Sequence, residues 1–179
     1  MSDINSICVY CASSNAVDPK YKILAQEVGG MIATSNRKLV YGGGHVGLMG
    51  AAADAALDAG GEVIGVIPQC LKDREVAHMG LSELHITKTM QERQQKMADL
   101  SDAFIVLPGG LGTLAEFFEI ITWRHLGIHD KPVFVLNAFG YWDLLLEMLD
   151  KAGEEKFLYK DMAALFTVIN GLYEIEEQL

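Results

Sequence analysis

Short apolar runs alternate with longer amphipathic segments along the whole chain. The short runs are rich in β-branched residues and are bounded by glycine, proline or polar residues, a pattern typical of strands. The longer segments favour helices, and Asp18 before Pro19 is a good helix start. The predicted strands cover residues 6–12, 38–41, 62–68, 84–87, 103–108, 132–137 and 166–169; the predicted helices cover 19–33, 47–59, 90–100, 112–126 and 141–152, before a short acidic helix near the C-terminus.

The predicted strands have almost no polar face. The stretches ICVY, EVIGVI, AFIVL and PVFVL are nearly continuous apolar runs, as in parallel strands that are buried on both sides. Because strand and helix alternate throughout, we expect an α/β fold with a doubly wound, Rossmann-like, mostly parallel sheet and helices on both faces. A single domain is expected over residues 1–179, with the polar residues 69–80 forming a loop over a site.

Composition narrows the classes of function. The chain has 179 residues, half of them hydrophobic, which is enough for one sizeable core. The formal net charge of −10 repels nucleic-acid backbones and anionic lipids, so neither a nucleic-acid nor a membrane partner is expected. The sequence shows no secretory signal and no apolar stretch near the roughly 18 residues of a membrane helix. We therefore expect a cytoplasmic protein.

Cysteines and histidines give no sign of a metal site. Cys8 and Cys11 form a C-x-x-C, but they lie within a predicted strand, where residues three apart point to opposite faces. With Cys70 they make an odd count of three, which fits a reducing compartment. His125 and His129 are four apart near a helix end, without an H-E-x-x-H motif. No metal and no cofactor are predicted.

Two glycine clusters stand between a strand and a helix. One is YGGGHVGLMG at residues 41–50, and the other is PGGLGT at residues 108–113. Ligands of doubly wound sheets bind at the carboxyl ends of the strands. Glycine lets a ligand approach the backbone there, and the following helix begins with unpaired N–H groups and a partial positive charge. Both clusters therefore predict an anion site.

The first cluster also matches a dinucleotide fingerprint, in the form Gly42-x-Gly44-x-x-Gly47. That motif normally follows the first strand and needs an acidic residue at the end of the next one. Here it follows the second predicted strand, and Glu62 stands at the start of the third. A dinucleotide-binding oxidoreductase is therefore the less favoured interpretation, and no G-x-x-x-x-G-K-[ST] motif is present.

The second cluster carries a carboxylate, because Thr113 and Glu116 form T-x-x-E at the predicted helix start. One interpretation is a capping box, in which the two side chains satisfy free backbone N–H groups. The other is catalytic. A carboxylate near a bound phosphate is electrostatically costly, but it stabilises an oxocarbenium-like sugar or activates water when a glycosidic bond is cleaved.

Arg93 is the third candidate. It follows the fourth predicted strand, so we expect it at the same edge of the sheet as the two glycine clusters. Its guanidinium would bind a phosphate or a carboxylate in a fork. The alternative is a solvated arginine in a surface ion pair. Arg74 and Glu75 lie in the polar loop and would either cover the site or form a solvated charge pair.

Taken together, these residues resemble the LOG (lonely guy) family of cytokinin riboside 5′-monophosphate phosphoribohydrolases. The resemblance covers nearly the whole chain and includes CVYCASS, YGGGHVGLMG, REVAH, MQER, PGGLGTLAEFFEIITW and LGIHDKPV. It implies hydrolysis of AMP or of N6-modified AMP to a free base and ribose 5-phosphate, without a cofactor. It also implies a nucleotide-binding Rossmann-like fold and a homodimer with sites near the interface.

The resemblance assigns roles residue by residue. Arg93 and Glu116 match the catalytic pair. The implied substrate contacts, besides Arg93, are Gly43, Gly44, Glu75, Gln94, Gly109, Gly110, Gly112, Thr113 and Thr122. Family members usually have a lysine directly after the arginine, where this chain has Gln94. Either that lysine contact is lost or Lys96 replaces it one turn later, which leaves the preferred base open.

A non-catalytic carrier is the alternative from another class. Molybdenum-cofactor carrier proteins share the fold and a similar PGGxGT cup for a phosphate-bearing ligand. Arg93 with Glu116 favours the hydrolase, because a carrier has no use for a carboxylate beside the phosphate. Members of this family have also been labelled lysine decarboxylases, but no lysine is placed to form a Schiff base beside the cup.

Overall fold

The structure is a computed structural model that describes residues 4–72, 77–158 and 161–178. Within these residues seven strands form one sheet in the order β4-β3-β2-β1-β5-β6-β7, and all neighbours are parallel. The predicted parallel sheet is therefore confirmed, although β1 and β5 are each two residues shorter than predicted. The strands are β1 (Ser6–Tyr10), β2 (Lys38–Tyr41), β3 (Val63–Pro68), β4 (Glu83–Thr87), β5 (Ala103–Val106), β6 (Val133–Leu136) and β7 (Thr167–Ile169).

The helices also follow the predicted pattern, with two differences. Residues 69–80 were expected to be irregular throughout, but they begin with one helical turn, and Arg74 and Glu75 lie outside the described residues. The helix expected from residue 141 begins at Asp143, because a 3₁₀ turn at Ala138–Gly140 precedes it. The helices are α1 (Pro19–Thr34), α2 (Gly47–Asp58), α3 (Gln69–Lys72), α4 (Met90–Asp99), α5 (Leu111–His125), α6 (Asp143–Glu154) and α7 (Leu172–Glu176).

Alternate residues of each central strand enter two separate cores. Val9 and Cys11 pack with α1 and α2 on one face of the sheet, and Cys8 and Tyr10 pack with α4 and α5 on the other. The doubly wound arrangement is thereby confirmed, and so is the placement of Cys8 and Cys11 on opposite faces. Both thiols are free and buried, and burial raises the pKa of each well above its usual value.

The order of the strands reverses at β1. The chain runs outward through β2, β3 and β4 and then returns to pair β5 with the other side of β1. The segments that follow β1 and β5 are tied together, since Ala12 N donates to Pro108 O at 3.3 Å. Ligands of such sheets bind at this switch point, beyond the carboxyl ends of the strands.

None of the helices in the described ranges has the length and apolar character needed to cross a bilayer.

Candidate active site

A cavity of about 280 Å³ lies at the switch point. Loops and helices that follow β1, β2, β3, β4 and β5 contribute to its wall. The structure thus brings together five of the predicted site residues, namely Arg93, Gly110, Gly112, Thr113 and Glu116.

Other predicted contacts lie elsewhere. Gly43, Gly44, Gln94 and Gly109 are buried and do not line the cavity. Thr122 is exposed farther along α5, where its hydroxyl donates to Phe118 O. Glu75 lies outside the described residues.

The amino end of α5 is open toward the cavity. Gly110 is the N-cap residue, and the first bond within the helix runs from Leu114 N to Gly110 O at 2.9 Å. In the described part of the chain, no acceptor is recorded for the N–H groups of Leu111, Gly112 and Thr113. Free N–H groups and the positive end of a helix dipole form an anion site. The prediction for PGGLGT is therefore supported by the geometry.

The glycines of this loop serve different purposes. A Cβ on Gly109 would overlap the side chain of Thr113, which is buried beneath the loop. A Cβ on Gly110 or Gly112 would meet no atom within 4 Å. Gly109 thus allows close packing inside the protein, whereas Gly110 and Gly112 leave open space for a ligand.

The amino end of α2 is closed by the chain itself. Gly47 N donates to Asn15 Oδ1 at 3.0 Å, and Leu48 N and Met49 N both donate to Ala12 O, at 2.9 and 3.3 Å. The prediction of a second anion site at YGGGHVGLMG is wrong for this reason. The same contacts occupy the N–H groups that a dinucleotide pyrophosphate would need.

Thr113 and Glu116 do not form a capping box. Because α5 begins at Leu111, Thr113 lies inside its first turn, and the N-cap has no side-chain hydrogen bond. A related pair of bonds occurs at the start of α4, where the glutamate accepts from the residue before the N-cap Thr89. Thr89 Oγ1 accepts from Glu92 N at 3.0 Å, and Glu92 Oε2 accepts from Lys88 N at 2.8 Å. This T-x-x-E was not singled out in the sequence, although it immediately precedes Arg93.

Arg93 and Glu116 form a buried ion pair. Arg93 Nη1 donates to Glu116 Oε1 at 2.7 Å, and each side chain is 8% exposed. Arg93 Nε donates in addition to Val66 O at 3.1 Å. The interpretation of Arg93 as a solvated surface residue is therefore wrong. A buried carboxylate paired with an arginine remains ionised, which favours its use as a base or as a stabiliser of positive charge.

Gly42 provides the space for this pair. A Cβ at residue 42 would overlap Arg93 Nη2 and press on Met49 Sδ. Sequence reasoning chose the next two glycines instead. Gly43 has a φ of 76° and accepts from His78 N at 3.1 Å, and Gly44 pairs with Ala77 in an isolated bridge. The first glycine cluster thus makes room for Arg93 and contacts the segment that begins at Ala77.

Ser13 and Ser14 also contribute to the wall of the cavity. Both are exposed residues of the segment after β1, and both line the cavity. Their position directly after the first strand, at the switch point, is the signal that would have identified them. Cys11 also lines the cavity, but burial, with the charge of Glu116 adding to it, raises the pKa of its thiol and disfavours the reactive thiolate.

Outside the cavity, His45, Asp54 and His78 bring potential metal ligands within 4.8 Å of one another. Both ring nitrogens of His78 are already engaged. Nε2 lies 2.8 Å from Asp54 Oδ1, and Nδ1 accepts from Gly80 N at 3.1 Å. The accepting Nδ1 places the ring proton on Nε2, facing Asp54. The arrangement joins the segment around His78 to α2.

Comparison with known proteins identifies the family. The family model described as "Possible lysine decarboxylase" matches residues 49–179. A cytokinin riboside 5′-monophosphate phosphoribohydrolase of Rhodococcoides fascians is 49% identical, over 86% of this chain and 78% of its own length. The enzyme LOG3 of Arabidopsis thaliana, which has the same name, is 47% identical over 88% and 73% of the two chains. This chain belongs to the phosphoribohydrolase family.

Solved structures show how widely the fold of this phosphoribohydrolase family member is shared. The Moco carrier protein of Chlamydomonas reinhardtii has a TM-score of 0.73 and 23% identity, covering 98% of this chain and 97% of its own. The molybdenum cofactor binding protein of Rippkaea orientalis has a TM-score of 0.73 and 22% identity, covering 99% and 96%. At these identities the likeness shows the Rossmann-like fold alone.

Proposed function

We propose that this protein hydrolyses the N-glycosidic bond of adenosine 5′-monophosphate, with or without an N6 substituent, to a free base and ribose 5-phosphate. One observation carries the proposal: a buried Arg93–Glu116 ion pair and an open helix N-terminus face the same cavity. Free N–H groups and a carboxylate on the wall of one cavity fit a substrate with a phosphate at one end and a developing cation beside it. The names of the relatives agree with this chemistry.

In this proposal the 5′-phosphate binds the N–H groups at the start of α5. The N–H groups of Leu111, Gly112 and Thr113 supply donors, and Ser13 and Ser14 add hydroxyls from the segment after β1. Charge-assisted hydrogen bonds of this kind are among the stronger ones in proteins. Binding at the phosphate fixes the position of the sugar, so that the reacting carbon meets the catalytic group in a productive orientation.

Glu116 then acts on the sugar. The bond from C1′ to the base breaks with its electron pair on the base, and the oxygen of a water molecule bonds to C1′. Glu116 stabilises the intervening oxocarbenium-like state and accepts the proton that water releases, and the base gains a proton overall.

Arg93 binds a carboxylate, which is one of the two roles expected from the sequence. Its guanidinium donates to Glu116 and to the Val66 carbonyl, so it holds the carboxylate ionised and oriented.

The side chains of Met49, Leu71 and Met90 form the apolar part of the wall and give the base a surface to pack on.

We extend the proposal to a cytoplasmic homodimer. Phe118, Thr122 and Phe157 line an apolar hollow of about 200 Å³ on the outer face of α5, and all three are exposed. Contiguous exposed apolar surface of this kind favours association. Thr122 belongs to this face and not to the cavity of its own chain, which fits a site near an interface. Light scattering should give twice the chain mass, and Phe118→Glu should shift it toward one chain.

Base release from AMP tests the catalytic proposal. Purified protein is incubated with AMP, and free adenine is measured by chromatography. We expect Glu116→Gln to lower kcat by about 100-fold or more, because it keeps the size of the side chain and removes its charge. Glu147→Gln, an exposed change on α6, controls for the loss of a carboxylate. AMP that stays intact with the wild-type protein would instead favour a carrier.

A further inference from the structure

Tyr141 contacts the glycine loop from outside the cavity. Its hydroxyl donates to the carbonyl oxygen of Gly109 at 2.7 Å, and its side chain is not part of the cavity wall. Gly109 and Gly110 follow one another, so no Cβ restricts the peptide group between them. Without an external contact, that peptide is free to rotate between orientations that present different groups to a ligand.

The geometry of the peptide connects this contact to the cavity. In a planar trans peptide, the carbonyl of Gly109 and the N–H of Gly110 point in opposite directions. A hydrogen bond that directs the carbonyl toward Tyr141 therefore directs the Gly110 N–H away from Tyr141. Gly110 lines the cavity, and a Cβ there would meet open space.

We propose that Tyr141 is a positioning residue that holds the Gly110 N–H toward the bound phosphate. This inference rests on the proposed function, since it concerns the same anion site. The Gly110 N–H then becomes a fourth donor beside the three free N–H groups of α5. The side chain of Tyr141, which lies outside the cavity, sets the direction of that N–H.

The turn before Tyr141 adopts an unusual conformation that brings it over Gly109. Phe139 has a φ of 60° and Gly140 a φ of 67°. The left-handed region is rare for a bulky residue and persists only where surrounding contacts hold it. The ring of Phe139 packs edge-on against Tyr21 at 5.7 Å, and Lys20 Nζ lies 4.8 Å from the Phe139 ring centre.

The ring of Tyr141 is held by the same group of residues. It packs edge-on against Tyr21 at 5.7 Å and against Trp142 at 4.7 Å. Tyr141 is 42% exposed, and its hydrogen bond to Gly109 is only partly buried. The bond to Gly109 is therefore not required to satisfy a buried polar group. The hydrogen bond restrains the peptide group of Gly109 and is not needed by the tyrosine hydroxyl.

Tyr141→Phe tests the proposal, because it keeps the ring and removes the hydroxyl. We expect the Kd for ribose 5-phosphate and the KM for AMP to rise together by about 5- to 10-fold, the range for one lost hydrogen bond. The kcat should stay within about twofold, since the phosphate contact is made equally in the ground and transition states. Tyr21→Phe is the matched control. It removes a hydroxyl from the same ring cluster, and no hydrogen bond of that hydroxyl is recorded within the described residues.

The outcomes separate this proposal from the proposed function. If the wild type cleaves AMP and Tyr141→Phe binds ribose 5-phosphate as tightly as the wild type, the positioning role is refuted and the function stands. A lower kcat with unchanged ribose 5-phosphate binding also refutes it, as does an equal loss in Tyr21→Phe. If the wild type neither binds ribose 5-phosphate nor cleaves AMP, both proposals fail.

Discussion

Arg93 Nη1 and Glu116 Oε1 lie 2.7 Å apart in a position almost closed to solvent. Arg93 lies in α4, which follows β4, and Glu116 lies in α5, which follows β5. In the sheet, β3, β2 and β1 lie between these two strands. The pair is therefore a tertiary contact across the switch point. It joins the elements on either side of the cavity and places an ionised carboxylate at its wall.

Breaking the pair should reduce stability as well as activity. Arg93→Met removes the positive charge beside the buried Glu116 carboxylate, which costs roughly 3–5 kcal/mol in the free energy of unfolding. Arg93→Met combined with Glu116→Leu removes both charges and should recover most of that loss while staying inactive. Urea denaturation of the single and double variants measures this. An unfolding free energy of Arg93→Met within about 1 kcal/mol of the wild type would contradict the burial of the pair.

Gly42→Ala should reduce activity without a change in any catalytic group. The added methyl group would overlap the Arg93 guanidinium, which must then move together with Glu116. We expect kcat/KM for AMP to fall by about 10- to 100-fold, since displacement of a catalytic group by about 1 Å is enough for that loss. Gly30→Ala in α1 is the control, because a Cβ there meets no atom within 4 Å. Equal activity of the two variants would mean that Gly42 does not position Arg93.

His129 should give the protein a measurable dependence of stability on pH. Burial lowers the pKa of His129 below its usual value, and the nearby charges of Arg124 and Lys131 lower it further, against the hydrogen bond to the Ile120 carbonyl. The unfolded chain therefore binds this proton more readily than the folded one. The stability due to neutral His129 is complete above about pH 6.5 and is lost as the pH falls toward the folded-state pKa.

Melting temperatures at pH 7.5 and pH 5 check this dependence. Replacing His129 with Asn should make the difference between the two temperatures smaller than in the wild type. Replacing the exposed His45 with Asn serves as the control. A wild-type difference that His129→Asn leaves unchanged would contradict the assignment.

Much of the fold follows from local pattern. The continuous apolar runs around Val9, Ile64 and Ile105 identify strands buried on both faces, and that pattern needs no tertiary information. The free N–H groups at the second glycine cluster also follow from local pattern, because a glycine loop between a parallel strand and a helix leaves the helix end open.

The remaining features depend on contacts between distant residues. The amino end of α2 is closed by Asn15 and Ala12, which lie more than 30 residues earlier in the chain. Gly42 makes room for Arg93, a residue about 50 positions later in the chain, so its role is invisible in the local sequence. The T-x-x-E at Glu116 and the one at Glu92 look alike in sequence, but only the threonine of the latter is the N-cap of its helix. A helix start predicted from sequence differs from the observed start by a residue or more. The residue that is assigned as the N-cap then changes as well.

The ratio of kcat/KM for AMP to that for adenosine tests the central claim most directly. The two substrates share the base and the sugar and differ only in the phosphate that we assign to the start of α5. Several charge-assisted hydrogen bonds are lost with adenosine, so the account predicts a ratio of about 100 or more. A ratio within about threefold of one would show that the phosphate is not bound there and would contradict the account.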